Sequence, residues 1–98
     1  MRLALRGELD LSNVSTVEAA LAEAIDSGKK VVIDLDQLEF LDSTGVALIV
    51  RTLNRSDAER FSFLPSRSSG VRRLFSLTGL DEKMVLATAS DSVTLPAV

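Results

Sequence analysis

The sequence predicts an α/β fold with a largely parallel sheet. Short apolar runs alternate along the chain with stretches of helical periodicity, and glycines or polar turn residues separate them. This alternation of strand and helix favours right-handed crossovers between parallel strands. The 98 residues suffice for one domain with a modest core, so residues 1–98 are expected to form a single domain.

The N-terminal segment is predicted to form a strand followed by a helix. Met1–Arg6 reads as a strand with leucines on one face, and Gly7 interrupts it. From Val14 onward, apolar residues recur at a spacing of about 100° per residue, which defines one buried stripe. That stripe consists of Val14, Val17, Leu21, Ala24 and Ile25. Gly28 is a suitable stop, because glycine readily adopts the left-handed conformation that ends many helices.

A second strand is predicted over Val31–Asp36. Its alternate residues Val31, Ile33 and Leu35 place a fully apolar surface on one side, whereas the other side carries two aspartates. This asymmetry indicates a sheet with helices mainly on one face and a wetter second face.

The remaining elements follow in the same alternating order. A second helix is predicted over Ser43–Ser56, a short strand over Phe61–Leu64 and a third helix over Gly70–Thr78. Met84–Thr88 is predicted to be a last strand. Residues 91–98 lack a firm pattern and are expected to be a loose tail.

The composition excludes several classes of function. The chain contains no Cys and no His, which removes disulfides, Cys/His metal sites and nucleophile–histidine triads. The net charge of −3 argues against a nucleic-acid-binding protein, which usually shows a basic balance. No secretory signal is visible and no apolar run is long enough to span a bilayer, so we expect a cytoplasmic protein without membrane insertion.

The carboxylates offer only a weak signal for catalysis. Asp34, Asp36, Glu39 and Asp42 form a loose acidic group, which we interpret as solvated rather than as a metal or acid–base site. The chain also lacks a glycine-rich phosphate loop with its lysine. We therefore expect no cofactor and no metal.

The strongest functional signal is the tetrapeptide Asp42-Ser43-Thr44-Gly45, which follows a buried strand and opens a helix. One interpretation is that its hydroxyls only cap the helix. The other is that a hydroxyl accepts a phosphate, which the free N–H groups and the dipole of a helix N-terminus would tolerate. The tetrapeptide alone does not decide between them.

The second helix carries an unusual polar face. A helical projection places Thr44, Leu48, Arg51 and Arg55 on one exposed stripe. Exposed single leucines are common, so this one could be without function. Alternatively, Leu48 belongs to a small docking face beside the hydroxyl residues.

Four blocks of the chain occur in an order typical of one family. They are Gly7–Asp10, Val31–Leu35, Phe40–Gly45 and the pair Val71–Phe75 and Leu77–Leu80. Together they resemble the STAS domain, in particular the bacterial anti-sigma factor antagonists, over about Leu3 to Val85. The resemblance implies a mixed, mostly parallel sheet of four to five strands with helices mainly on one face.

The resemblance also implies a function. Such a protein binds an anti-sigma factor, often a serine kinase, and so frees a sigma factor for transcription. The kinase phosphorylates the serine of the D-S-[ST]-G motif, and the complex then dissociates. A serine phosphatase removes the phosphate and restores the unmodified protein. Carried over, the acceptor is Ser43, with Thr44 open as a second acceptor. The residues expected to share the partner surface are Asp10, Ser12, Asn13, Asp42, Thr44, Gly45 and Leu48. This protein is then a regulatory binding protein and not an enzyme.

Two other functions remain open at this point. One is a STAS subunit with a structural role, for example in a lipid-transport complex, in which Ser43 is not modified. The other is a carboxylate-based or nucleotide-hydrolysing enzyme. Family members also usually begin with an additional edge strand and often end in a helix. We therefore expect an exposed sheet edge, through which a homodimer could form.

Overall fold

The computed structural model describes residues 1–87. The elements in chain order are β1 (Arg2–Leu9), α1 (Val14–Asp26), β2 (Val31–Leu41), α2 (Ser43–Leu53), a 3-10 turn (Ala58–Arg60), β3 (Phe61–Leu64), α3 (Ser69–Thr78) and α4 (Leu80–Lys83). The tail predicted at residues 91–98 lies outside the described residues. The predicted alternation of strands and helices is confirmed.

The sheet has the order β1-β2-β3, and both neighbouring pairs are parallel. Of the strand predicted at Met84–Thr88, the described residues 84–87 form one parallel bridge, between Phe63 and Leu86. Backbone hydrogen bonds of 2.8 Å and 2.9 Å join Phe63 to Val85 and Ala87. Residues 1–87 thus contain three strands rather than four or five, and none of their pairs is antiparallel.

The helices pack on one face of this sheet, as the alternation in β2 predicts. Buried side chains of β1, β2 and β3 form a single cluster with those of the four α-helices. The largest fully buried members are Phe61, Phe63, Leu9, Leu35, Leu38, Ile49, Val31 and Val71. The continuous apolar surface explains why these amphipathic helices form, since each buries its apolar stripe against the same strands.

The opposite face of the sheet carries ion pairs. Asp34 is buried and accepts hydrogen bonds from the guanidinium of Arg2, so its interpretation as a solvated carboxylate is wrong. Asp36 pairs with Arg67 at 2.7 Å. The hydrogen bond from Arg67 is the main reason why the pKa of Asp36 lies below its usual value.

Two strand boundaries differ from the predictions. β1 continues through Gly7, whose φ of 67° is a left-handed conformation that favours glycine. β2 extends beyond its predicted end at Asp36 to Leu41, because the residues after Asp36 stay paired with β1 across two register shifts. These bulges carry the ends of both strands toward the start of α2.

The structure corrects the placement of Leu48. This side chain is only 5% exposed and belongs to the core, whereas Arg51 and Arg55 are exposed. α1 packs beside α2, and its residues Leu21 and Ile25 line a cavity together with Leu48. An ion pair of 3.2 Å between Arg51 and Glu18 joins the two helices above it. Leu48 is therefore not part of an exposed docking face.

Candidate functional site

Helix α2 begins with Asp42 as its cap. One carboxylate oxygen, Oδ1, accepts hydrogen bonds from the backbone N–H of Thr44 at 2.9 Å and of Gly45 at 3.2 Å. The same oxygen accepts a bond of 2.6 Å from the Thr44 hydroxyl. That side-chain bond, with further backbone bonds, holds the pKa of Asp42 below its usual value despite partial burial.

Ser43 and Thr44 have different environments although they are adjacent. Ser43 is the first residue of α2, is exposed, and its hydroxyl has no hydrogen-bond partner among residues 1–87. Thr44 is half-buried and its hydroxyl is committed to Asp42. The capping role that the sequence left open thus belongs to Asp42, and the hydroxyl of Ser43 faces solvent.

Gly45 allows α2 to approach the end of β1 closely. A Cβ atom at this position would lie 2.9 Å from the carbonyl oxygen of Leu9 and 3.1 Å from Cβ of Leu41. Both distances are shorter than ordinary van der Waals contact. The glycine of the tetrapeptide therefore has a packing role that positions Ser43 beside the end of β1.

The loop after β1 is held by several side-chain hydrogen bonds and is joined to this helix start. Asn13 accepts a bond from the backbone N–H of Asp10 at 2.9 Å and donates one of 2.6 Å to the carbonyl of Glu8. Asp10 accepts bonds from the backbone N–H and the hydroxyl of Ser12. The N–H of Leu11 donates to Oδ2 of Asp42 at 3.3 Å, which connects the loop to the cap.

These bonds change how the predicted partner residues are understood. The side chains of Asp10, Ser12 and Asn13 shape the loop, whereas the side chain that projects from it is Leu11, which is 74% exposed. Leu11 was not among the predicted site residues. Its available signal was an apolar residue inside a polar turn next to the tetrapeptide, a position where no core contact is expected.

The structure therefore brings most of the predicted site together at the carboxyl ends of β1 and β2. Asp10, Ser12 and Asn13 lie in the loop that contacts Asp42, and Ser43, Thr44 and Gly45 form the first turn of α2. Leu48 lies apart in the core. In residues 1–87 no group of three or more acidic, Cys or His side chains is placed to hold a metal ion.

Comparisons with known proteins agree with this architecture. A family model described as STAS domain matches residues 1–94. The chain is 33% identical over 94 residues to the anti-sigma-F factor antagonist RsfB of Mycobacterium tuberculosis (strain ATCC 25618 / H37Rv), covering 94% of this chain and 77% of RsfB. It is 34% identical over 82 residues to the anti-sigma-B factor antagonist of Staphylococcus aureus (strain NCTC 8325 / PS 47), covering 80% and 74% of the two chains.

A solved structure shows the same fold. SpoIIAA, described as an anti-sigma factor antagonist in its unphosphorylated form, superimposes with a TM-score of 0.69 at 29% identity, covering 94% of this chain and 83% of SpoIIAA. The chain therefore belongs to the STAS domain family, and the resemblance drawn from its four sequence blocks is confirmed. No helix in residues 1–87 is long and apolar enough to cross a membrane.

Proposed function

We propose that this protein is an anti-sigma factor antagonist whose partner binding is switched by phosphorylation of Ser43. The observation that carries the proposal is the exposed hydroxyl of Ser43 in the first turn of α2, beside a loop that is hydrogen-bonded to the helix cap. The names of RsfB and the Staphylococcus aureus relative support the class of partner. The description of SpoIIAA as unphosphorylated supports the kind of switch.

The switch acts at the interface and leaves the fold intact. A phosphate adds about −1.5 to −2 charges at neutral pH, which the free N–H groups of the first helical turn tolerate. Asp10 and Asp42 already make the surrounding surface negative. A closely fitting partner surface then rejects the phosphoprotein through charge repulsion and the cost of desolvating the phosphate.

The unmodified protein presents an apolar contact next to Ser43. Leu11 projects from a loop held by hydrogen bonds, so little conformational entropy is lost when a partner covers it. We assign Leu11 to the partner surface in place of Leu48. Under this proposal the partner is an anti-sigma factor with serine kinase activity, a serine phosphatase removes the phosphate, and the exchange takes place in the cytoplasm.

The test is intact-mass and peptide-mapping analysis of the protein isolated from its own cells, during growth and under stress. We expect one phosphate on Ser43 whose occupancy varies with condition. Ser43→Ala abolishes this phosphate, whereas Ser69→Ala, at an exposed first position of another helix, leaves it unchanged. A protein that is never modified and always co-purifies with one fixed set of subunits would contradict the proposal.

A further inference from the structure

The tetrapeptide offers two adjacent hydroxyls, and the structure treats them differently. The hydroxyl proton of Thr44 is committed to Oδ1 of Asp42 at 2.6 Å, a short bond to a charged acceptor. The side chain of Thr44 is half-buried, whereas Ser43 is exposed. Since neighbouring residues on a helix point in different directions, the two hydroxyls do not share one orientation.

Phosphoryl transfer requires an acceptor hydroxyl that is free to react, and the hydroxyl of Thr44 is not free. The acceptor oxygen must align with the γ-phosphorus of a nucleoside triphosphate, while its proton passes to a base on the kinase. As the new O–P bond forms, the bond to the departing nucleoside diphosphate breaks. For Thr44, the hydroxyl first has to break its hydrogen bond to Asp42, and the incoming anionic phosphoryl group would approach that same carboxylate.

We propose that Asp42 determines the site of modification, because it withholds the Thr44 hydroxyl and leaves Ser43 as the acceptor. Asp42 acts here as a positioning residue, since it accepts no phosphate itself. Its Oδ2 accepts a bond from Leu11 N–H, which holds the carboxylate in place. The inference rests on the proposed function, because it requires that a kinase modifies this turn.

The test uses the kinase that modifies the wild-type protein, with MgATP, and quantifies phosphate separately on Ser43 and Thr44. Asp42→Gly removes the acceptor for the Thr44 hydroxyl while retaining a residue tolerated at helix caps. We expect the Thr44 share of total phosphate to rise at least about tenfold, which corresponds to about 1.4 kcal/mol in relative barrier. Asp42→Asn keeps an acceptor oxygen, so it should retain the preference for Ser43.

Variants without the Ser43 hydroxyl make phosphate on Thr44 measurable without competition between the two hydroxyls. Ser43→Ala with Asp42 intact should accept no phosphate, whereas Ser43→Ala combined with Asp42→Gly should accept it on Thr44. A merely structural role of Asp42 would not move phosphate from one residue to its neighbour. Circular dichroism checks the fold. If Asp42→Gly unfolds, the single Ser43→Ala variant, which keeps the Asp42 cap, still tests whether Thr44 accepts phosphate.

Two results would overturn the inference while the proposed function stands. One is phosphate confined to Ser43 in the folded Asp42→Gly variant, and the other is phosphate on Thr44 in the single Ser43→Ala variant. Loss of all phosphate from the folded Asp42→Gly variant would also contradict it, because Asp42 would then be required for recognition. Absence of phosphate from Ser43 in the wild-type protein would instead overturn the proposed function, and this inference with it.

Discussion

Helices α2 and α3 start with similar sequences but are built differently. Each has an exposed serine at its first position, Ser43 in α2 and Ser69 in α3. The cap of α2 is a carboxylate that collects three hydrogen bonds from the first turn and one more from a neighbouring loop. The cap of α3, Ser68, accepts a single long bond of 3.5 Å from Val71.

The glycines of these two helix starts differ in the same way. A Cβ at Gly45 would collide with the backbone of Leu9, whereas a Cβ at Gly70 would meet nothing closer than the Ser68 hydroxyl at 3.7 Å. The comparison teaches that a serine at a helix start is not in itself a functional signal. At α2 the first helical turn packs closely on the end of β1 through Gly45 and lies beside a hydrogen-bonded loop, which fixes where the exposed serine is presented.

The largest contrast in stability is expected between two leucines of these helices. Leu48 of α2 is 5% exposed and Leu77 of α3 is 74% exposed. Leu48→Ala should lower the free energy of unfolding by about 2–5 kcal/mol, because it leaves a cavity in the core. Leu77→Ala should change it by less than about 0.5 kcal/mol. Urea denaturation measures both, and equal values would show that Leu48 is not a core residue.

The glycine pair gives the next largest effect. Gly45→Ala should destabilise the protein by about 1–3 kcal/mol, because backbone as well as side-chain atoms must shift to admit the methyl group. Gly70→Ala should leave stability unchanged or raise it by up to about 1 kcal/mol, since alanine is the better helix former. Thermal unfolding of both variants checks this, and a neutral Gly45→Ala would contradict the close packing of α2 on β1.

The contrast extends to partner binding through two leucines of equal exposure. Leu11 and Leu77 are both 74% exposed, but only Leu11 lies in the loop that contacts Asp42. Leu11→Ala should weaken binding to the anti-sigma factor by roughly tenfold, in the range of an interface anchor. Leu77→Ala should leave the Kd unchanged. Isothermal titration calorimetry measures both, and equal effects would remove Leu11 from the partner surface.

The smallest contrast is in the response to acid. The pKa of Asp42 is lowered in the folded protein, so its contribution to stability is complete above the ordinary value of about 3.9 and is lost as the pH falls through the folded value. Asp57, whose pKa is lowered to about 2, loses its contribution in the same acidic range. Asp42→Asn should therefore flatten the fall in stability below about pH 4, whereas Ser68→Ala should leave the slope unchanged.

Denaturation at pH 6 and at a pH near 3 is sufficient to compare the slopes. Each variant is referred to its own value at the higher pH, so the loss of a cap does not obscure the comparison. If the free energy of unfolding falls equally with pH in Asp42→Asn and in the wild-type protein, the Asp42 carboxylate does not contribute to the acid dependence of stability.

Much of the fold follows from local patterns. The alternation in β2 predicted helices on one face, and the apolar stripe of α1 and the predicted end of α3 at Thr78 both agree with the structure. The sequence-based prediction was wrong where packing against a neighbouring element decides whether a side chain is buried. The helical projection placed Leu48 on the exposed side of α2, but α1 packs beside α2 and Leu48 is buried.

The candidate site shows the same limit. The tetrapeptide and the polar loop could be identified from residue types, because caps and turns have local signatures. How the loop after β1 is placed beside this helix start depends on the hydrogen bond from the N–H of Leu11 to Asp42. That contact joins residues 31 positions apart in the chain, and no local pattern specifies it.

The most direct test of the central claim compares two phosphoproteins. Phosphoserine is incorporated at position 43 in one and at position 69 in the other, and the affinity of each for the anti-sigma factor is measured alongside the unmodified protein. We predict that phosphate on Ser43 weakens binding by at least about tenfold while the circular dichroism spectrum is unchanged, and that phosphate on Ser69 has no effect. Equal affinity of the Ser43 phosphoprotein and the unmodified protein would contradict the account.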